Sequence, residues 1–369
     1  MITNKKQPSA WQVLFAFMCG ACLILILYYS DCAIEYMRTG LLLCTKTVIP
    51  SLFPFMVISE LIVSSGLGEF IGKMIRKICQ LLFGISGVSA CAVILGALCG
   101  FPIGAKTTVS LLDNKYIDKK ETERLLCFCN NPSSAFLISA VGISLYSSKQ
   151  VGLIFYITTL STAVLIGMVL KWMYGGFTSN TIHTSTKSIP GISCFTSAVS
   201  GSAHGMLTVC AYVVFFSAVM GCLGHMLAEL GCPSEICALL YGVVELSGGV
   251  SASAALGNGA LSLCLSAFIM GWSGISVHCQ IMSICHGKGL KFTSYVVSKL
   301  IHGILNSIVI YCIYIIAPQL FQPDQNSASI PSFLIISSLW QNMVLVFFIL
   351  SLCFYFFGKI HKSTLHVIY

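Results

Sequence analysis

Residues 86–112 read SGVSACAVILGALCGFPIGAKTTVSLL, an apolar stretch that is interrupted in its middle by the segment GFPIG. Each apolar arm is too short to cross a hydrocarbon layer of about 30 Å, which takes roughly 20 helical residues. Glycine and proline break helices, so the stretch predicts a re-entrant hairpin of two short helices that enters and leaves a membrane on one side. Residues 237–256, interrupted by ELSGG at 245–249, predict a second hairpin of this kind.

The composition is that of a membrane protein. The 369 residues are 56% hydrophobic and 9% charged, with a mean hydropathy of +0.90. Soluble domains carry about 25% charged residues, so a soluble globular protein is excluded. Backbone groups in lipid must be satisfied within their own segment, and the apolar runs lack strand-like alternation, which favours helices. We therefore expect an all-α polytopic membrane protein with two re-entrant hairpins and about eight transmembrane helices, at residues 11–29, 47–65, 125–145, 151–170, 204–230, 261–278, 294–316 and 333–357.

The distribution of basic residues supports this topology. With the amino terminus inside, every Lys and Arg except Arg38, Lys46 and Lys149 falls on the cytoplasmic side, as the positive-inside rule requires. Both termini are then predicted to be cytoplasmic, in a bacterial cell membrane. Loops beside anionic lipid explain the formal net charge of +8, so we expect the lipid bilayer as a partner and no nucleic acid.

Two parts of the chain echo each other. Residues 53–68 and 211–224 have similar apolar patterns, and each is followed by an interrupted stretch, a broken span and an uninterrupted span. Under the predicted topology the two units have opposite orientations, which indicates inverted repeats like those of many secondary transporters. The first predicted domain is a transmembrane helix with an interfacial segment, at residues 1–46. Repeat one with its hairpin follows at 47–175, a linker at 176–202, and the inverted repeat two with its hairpin at 203–317. A final transmembrane helix with a cytoplasmic tail occupies residues 318–369.

Glu60 and Glu245 are the acidic residues that lie deep within apolar stretches. A charged carboxylate at membrane depth is costly unless it is paired. Two interpretations stay open for each residue. One is a coupling or gating site for a proton or cation, and the other is a carboxylic acid that satisfies the backbone of a broken helix. Lys299 and His302, one turn apart in an apolar span, are further candidates for coupling or gating.

The first hairpin break carries the predicted substrate site. Freed amides at the start of a half-helix attract anions, and a cation and a hydroxyl follow one turn later. A small organic anion would suit this arrangement. The alternative for the lysine is a side chain that extends to the cytoplasmic headgroups. The residues assigned to this part of the site are Gly100, Pro102, Gly104, Lys106 and Thr107.

Uncharged polar residues at the other breaks complete the predicted site. They would offer hydrogen bonds to a small polar ring beside unwound helix, whereas small and hydroxyl residues also serve helix packing in membranes. The residues are Asn130, Asn131, Ser133, Ser247, Gly248 and Ser273. The sequence contains no recognisable nucleophile, metal box or cofactor motif, so we expect no enzyme activity, no cofactor and no metal.

Four segments together resemble the sporulation integral membrane protein YlbJ family, also called SpoVV: SLFPF at 51–55, GFPIGAK at 100–106, ERLL at 123–126 and NNPS at 130–133. The likeness runs from about residue 47 to residue 316. Members carry a nucleoside recognition or gate-type domain. The resemblance implies a protein of endospore formers that passes dipicolinic acid, a planar pyridine dicarboxylate, from the mother cell across the outer forespore membrane. It also implies that Lys106 and the broken-helix amides accommodate an anion.

We therefore expect a carrier, or a facilitated pathway, for a small organic anion during spore formation, with dipicolinic acid as the expected solute. A nucleoside-like solute is the alternative within transport. A sporulation membrane scaffold that transports nothing is the alternative outside it. A homo-oligomer and other sporulation membrane proteins stay open as partners.

Overall fold

The computed structural model describes residues 10–65, 67–175 and 192–322, and over these ranges the secondary structure is helical. Residues Cys44–Val48 form a π-helical turn, Phe136–Leu145 form a longer π-helical segment, and Pro318–Phe321 form a short 3-10 helix. The α-helices are α1 (Ala10–Tyr28), α2 (Ser30–Leu43), α3 (Ile49–Ser64), α4 (Leu67–Leu82), α5 (Ala90–Cys99), α6 (Ile103–Asp113), α7 (Lys119–Leu126), α8 (Lys149–Tyr174), α9 (Ile192–Glu229), α10 (Ser234–Val244), α11 (Leu246–Ala254), α12 (Ala260–Trp272), α13 (Gly274–Ile284) and α14 (Thr293–Ile316).

Four helical segments within the described ranges are long and apolar enough to cross a membrane: α8, α9, α12 taken together with α13, and α14. A fifth crossing is counted if the bent pair Cys19–Tyr28 and Ser30–Lys46, with 99° between its arms, is one span. The predicted span at 333–357 lies outside the described residues. An all-helical chain with four to five candidate spans is thus confirmed, whereas the number of eight crossings stays a prediction.

Both interrupted stretches form pairs of short helices. Gly100, with φ of 78°, separates α5 from α6, and this left-handed conformation favours glycine. Glu245, in an extended conformation, separates α10 from α11. A Cβ on Gly249 would collide with the backbone of Gly242, so the two arms of the second pair touch along their glycines. The predicted helix breaks at 100–104 and 245–249 are therefore confirmed.

The two halves repeat one order of elements. The first contains α5 and α6, then α7 and the π-helical segment, then α8, and the second contains α10 and α11, then α12 and α13, then α14. The broken span predicted at 125–145 is interrupted in the structure, where residues 127–133 separate its two helical parts. The shared order supports a repeat. The opposite orientation of the two units stays a prediction.

Part of the predicted linker at 176–202 is helical in the structure. Residues 192–202 are helical and form the start of α9, and residues 176–191 lie outside the described residues. Serine and threonine are accommodated in this helix because their hydroxyls can bond to preceding carbonyls, as Thr196 does to Ser193 at 3.0 Å. The helical part of the predicted linker therefore belongs to α9.

Charged side chains hold α7 and thereby position the unwound residues 127–133 that follow it. Glu121 accepts a hydrogen bond from the Ser89 hydroxyl, just before α5, at 2.6 Å. Arg124 donates to the Phe83 carbonyl, at the end of α4. Both side chains are buried. Glu121 and Arg124 thus connect α7 to α4 and α5, and Arg124 has this structural role in addition to its place among the basic residues that predict the topology.

Candidate functional site

In each half, the break in the hairpin lies beside the break in the interrupted helix. In the first half, the Phe101 amide donates to the Asn131 carbonyl at 2.9 Å. In the second half, a Cβ on Gly274 would lie 3.0 Å from the Leu246 amide nitrogen. Unwound backbone from two segments therefore meets in both halves, in the manner of the discontinuous helices that form transporter sites.

Phe101, at the tip of the first hairpin, packs against two apolar clusters that contain residues of both halves. One cluster contains Leu246 and Met270, and the other contains Val277 and Tyr295. These four residues belong to α11, α12, α13 and α14 of the second half. Phe101 therefore packs against clusters in which apolar residues of both halves meet.

Close backbone contact explains the glycines of the first hairpin. Gly96 on α5 and Gly104 on α6 both abut the Cys129 carbonyl, so a Cβ on either residue would collide with it. A Cβ on Gly100 would lie 2.5 Å from the Ser133 amide nitrogen. Gly100 and Gly104, which the sequence assigned to substrate binding, therefore allow the backbone of the hairpin to pack closely against the unwound segment.

Four polar residues form a stripe along α14: Tyr295, Lys299, His302 and Asn306. They recur every three or four residues and so share one face of the helix. Each is at most 1% exposed. His302 and Asn306 both bond to Thr159 on α8, and Asn306 also donates to a carbonyl of α12 at 2.9 Å. The stripe is therefore turned into the protein, where intramembrane polar groups usually serve a function.

Lys299 lies at the centre of this stripe and is fully buried. Its ammonium donates to the backbone carbonyl of Asn130, in the unwound segment of the first half. Among the described residues, no carboxylate forms an ion pair with it. A buried ammonium without an anion costs several kcal/mol, and one carbonyl satisfies only one of its three donors. The second half thus presents a cation to the broken helix of the first.

Several polar atoms along the stripe are buried without a hydrogen-bond partner in the described protein. The Nε2 of His302 lies 3.0 Å from the Thr159 carbonyl, while its Nδ1 has no partner. His278, on α13, bonds to the Tyr295 hydroxyl through Nδ1 at 2.9 Å, while its Nε2 has none. The Oδ1 of Asn306 is also unpartnered. Each such group costs about 1–3 kcal/mol, so their concentration around one cation calls for a functional explanation.

Asn130 and Asn131 carry two more buried acceptors. Their Nδ2 atoms donate to the carbonyls of Leu126 and Phe128, at 3.1 and 2.9 Å. Because a carbonyl only accepts, these bonds set the orientation of both amides. Their Oδ1 atoms are left buried and without a partner. Asn130 therefore lies at the contact with Lys299, and Asn131 follows it in the unwound segment.

Lys106, on α6, and Glu60, on α3, make their contacts on a side of α6 that faces away from the unwound segment. The Lys106 ammonium donates to the Ser202 hydroxyl on α9 at 2.7 Å, and Glu60 accepts from the Ser110 hydroxyl at 3.0 Å. Lys106 is two residues from Gly104, which faces the unwound segment, so the two residues project from opposite sides of the helix. The structure therefore splits the predicted anion site, and Lys299 is the cation beside the asparagines.

Glu245 has a capping role at the break in the second hairpin. Its carboxylate accepts from the amides of Ser247 and Gly248, at 2.9 and 2.6 Å, and so caps the start of α11. This matches the interpretation in which the side chain satisfies a broken helix. Ser247 and Gly248 thus use their amides within the protein.

The other predicted residues mainly shape the backbone. Ser273 is buried in a left-handed conformation, with φ of 77°, between α12 and α13. Thr107 bonds to the Ile103 carbonyl of its own helix at 2.8 Å. Pro102 is buried just before α6, and the Ser133 hydroxyl accepts from the amide three residues later at 3.2 Å. These residues support the breaks beside the polar stripe.

The interrupted helix and the hairpin of the first half coincide with a known family. Residues 45–170 match the Gate family model, described as nucleoside recognition. The chain is also 24% identical over 327 residues to the sporulation integral membrane protein YlbJ of Bacillus subtilis (strain 168), which covers 78% of this chain and 79% of that one. No solved structure matches the chain. These similarities confirm the family resemblance carried by the sequence motifs.

The Gate region and the second half contribute different parts of the junction. The Gate region supplies the unwound asparagines and Thr159. Lys299, His302 and Asn306 lie beyond it, on α14. The charged part of the site thus comes from outside the region that the family model describes.

Tyr295 and Asn306 are absent from the site predicted from the sequence, although a signal for them exists. Together with Lys299 and His302 they complete a polar repeat of three and four residues in an otherwise apolar span, which is the spacing of one helix face. The contact of His278 with Tyr295 depends on how α13 packs against α14.

Proposed function

We propose that the protein carries a small organic anion across a bacterial membrane, through the junction between its two halves. The observation that carries this proposal is the fully buried Lys299 ammonium, which bonds to the unwound backbone at Asn130 and has no carboxylate partner among the described residues. An anion bound there would supply the missing opposite charge. If the halves are inverted repeats, rocking of one against the other would open the junction to each side in turn.

Dipicolinic acid is the solute that suits this junction. It combines two carboxylates with a flat ring, so it needs a cation and planar neighbours. His278, which interacts electrostatically with Lys299, packs edge-to-face with Trp272 and Tyr295, at centroid distances of 4.4 and 5.2 Å. Similarity to a sporulation integral membrane protein supports a role in spore formation. Passage from the mother cell across the outer forespore membrane, with both termini cytoplasmic, is part of the proposal.

A nucleoside-like solute is the second candidate, favoured by the description of the Gate family as nucleoside recognition. The unpartnered amide oxygens of Asn130, Asn131 and Asn306 would accept hydrogen bonds from sugar hydroxyls or base N–H groups. A nucleoside is uncharged, however, and would leave the Lys299 ammonium without an anion. We therefore place the organic anion first.

A scaffold that transports nothing is the remaining alternative. Such a protein needs a stable fold and a binding surface, and an apolar side chain at position 299 would serve its stability as well as a buried lysine does. This alternative predicts that Lys299 is expendable for sporulation.

Solute uptake into proteoliposomes tests the proposal. Uptake of dipicolinate and of a pyrimidine nucleoside is measured for wild type, Lys299→Met and Lys171→Met, because methionine keeps much of the length of lysine without its charge. Lys171 is the matched control, since it also donates to a carbonyl of another segment, that of Leu81, but lies at the end of α8. We expect Lys299→Met to lower dipicolinate uptake at least about 30-fold, or about 2 kcal/mol, and Lys171→Met to leave it near wild type.

Each other outcome removes one part of the proposal. Preferential uptake of the nucleoside by the wild type would overturn the assignment of an anion. Equal dipicolinate uptake by wild type and Lys299→Met would overturn the assignment of the site. If the wild type takes up neither solute, while cells producing Lys299→Met sporulate normally, the scaffold is the better account.

A further inference from the structure

We infer that the junction binds one proton together with each divalent organic anion, and that Nδ1 of His302 is the atom that accepts this proton. The inference rests on the proposed anion transport and adds its coupling ion. It depends on the geometry of His302, on the ionisable groups around that side chain, and on the charge balance with Lys299.

The hydrogen bonds of His302 determine its tautomer. Nε2 lies 3.0 Å from the Thr159 carbonyl oxygen, which can only accept, so Nε2 carries the hydrogen. In the neutral ring, Nδ1 then carries a lone pair and no hydrogen. This atom is buried and has no partner in the described protein. A proton could therefore be added at Nδ1 while the bond to Thr159 is kept.

The other imidazole of the junction is less defined. Nδ1 of His278 lies 2.9 Å from the Tyr295 hydroxyl, which can either donate or accept. His278 therefore keeps this bond in either tautomer, and its free Nε2 does not have to be a lone pair. His302 is the ring in which the basic atom is determined by the fold.

No carboxylate neutralises the junction within the described chain. The ionisable side chains around it come from α14, α13 with the residue that follows it, and the unwound segment, and they are Lys299, Tyr295, His278, Cys279, Cys285, Cys127 and Cys129. α12 contains no charged residue, and α8 carries lysines only near its ends. On α7, Glu121, Glu123 and Arg124 bond to other segments. The charge of the junction is therefore set by the lysine, the two imidazoles and the solute.

Charge balance then fixes the proton count. Without an anion, a proton on His302 would bury a second positive charge beside Lys299, so the imidazole stays neutral. A dicarboxylate brings two negative charges against the single charge of Lys299. One proton on His302 makes the buried complex neutral, which removes a cost of several kcal/mol for an unpaired buried charge. A monocarboxylate is already neutralised by Lys299 and needs no proton.

Proteoliposomes that contain a trapped pH indicator test this inference, with dipicolinate and its monocarboxylate analogue picolinate as probes. Carboxylates with a pKa near 4 stay ionised between pH 6 and 8. We expect dipicolinate uptake at limiting concentration to rise up to about tenfold for each pH unit of external acidification, with internal acidification of one proton per solute. Picolinate uptake should carry no proton.

The variant His302→Gln should lose the pH effect, because glutamine can still donate to the Thr159 carbonyl but does not titrate. His204→Gln is the matched control, since His204 is an exposed residue of α9, and its pH effect should equal that of the wild type. If His302→Gln does not fold, calorimetry of dipicolinate binding to the wild type in two buffers of different ionisation enthalpy counts the protons without any variant.

The outcomes separate this inference from the proposed function. Dipicolinate uptake by the wild type without proton uptake, or an undiminished pH effect in His302→Gln, overturns the proton site and leaves anion transport standing. A proton that accompanies picolinate as well would refute the charge-balance argument. The absence of uptake of either anion by the wild type at every pH overturns the transport proposal itself.

Discussion

Replacement of Lys299 by methionine should separate function from stability. The variant removes a buried ammonium, whose desolvation costs several kcal/mol. It also loses one charge-assisted bond of about 1.5–3 kcal/mol and leaves the Asn130 carbonyl without that donor, at a cost of about 1–3 kcal/mol. These contributions oppose each other. We therefore expect the free energy of unfolding of Lys299→Met to be at most about 1 kcal/mol lower than that of the wild type, or higher. Anion uptake should nevertheless be lost.

Thermal unfolding in detergent, followed with a fluorogenic maleimide, measures this stability. Buried free thiols such as Cys91 and Cys129 become reactive only when the helices separate. Lys299→Ala is the comparison, because it leaves a cavity and should cost about 2–5 kcal/mol. A loss of more than about 3 kcal/mol in Lys299→Met, close to that of the alanine variant, would show that the ammonium serves the fold, and would refute our reasoning.

Three further substitutions test the structural assignments. Gly104→Ala should lower stability by about 1–3 kcal/mol, because its Cβ would meet the Cys129 carbonyl, whereas Gly201→Ala, with no atom within 4 Å, should melt like wild type. Tyr146→Phe should cost about 1–2 kcal/mol in the same melting assay, since it removes a buried hydroxyl bonded to two serines of α12 at 2.8 Å. Glu245→Gln should cost about 0.5–1 kcal/mol as a weakened helix cap and keep anion uptake. Lost uptake in a folded Glu245→Gln protein would contradict the capping role.

The breaks in the helices could be predicted from the sequence because their causes are local. The glycines and proline at 100–104, the NNPSS segment at 130–134 and the GWSG segment at 271–274 disfavour a continuous helix whatever surrounds them. The structure has its breaks at these places. The linker at 176–202 was less predictable, since a Ser/Thr-rich segment forms a helix once α9 packs against α3.

The residues of the predicted anion site do not all lie together in the structure. Lys106 follows the first break by one turn and so suggested a cation beside the freed amides. In the structure it points toward Ser202 on α9. Lys299 was a weaker candidate for the site, because it lies in an uninterrupted span with no break near it in the sequence. The distinction between the two lysines depends on which face of each helix is turned to the unwound segment.

Composition, hydropathy and helix-breaking residues were sufficient to establish a helical membrane protein with interrupted segments at set positions, because these properties depend on lipid as the solvent and on neighbouring residues. Only the tertiary structure decided that Lys299, rather than Lys106, meets the asparagines of the first half. The Lys299 ammonium and the Asn130 carbonyl are 169 residues apart in the chain. Contact at such a distance depends on how α14 docks against the first half, and no local pattern encodes that.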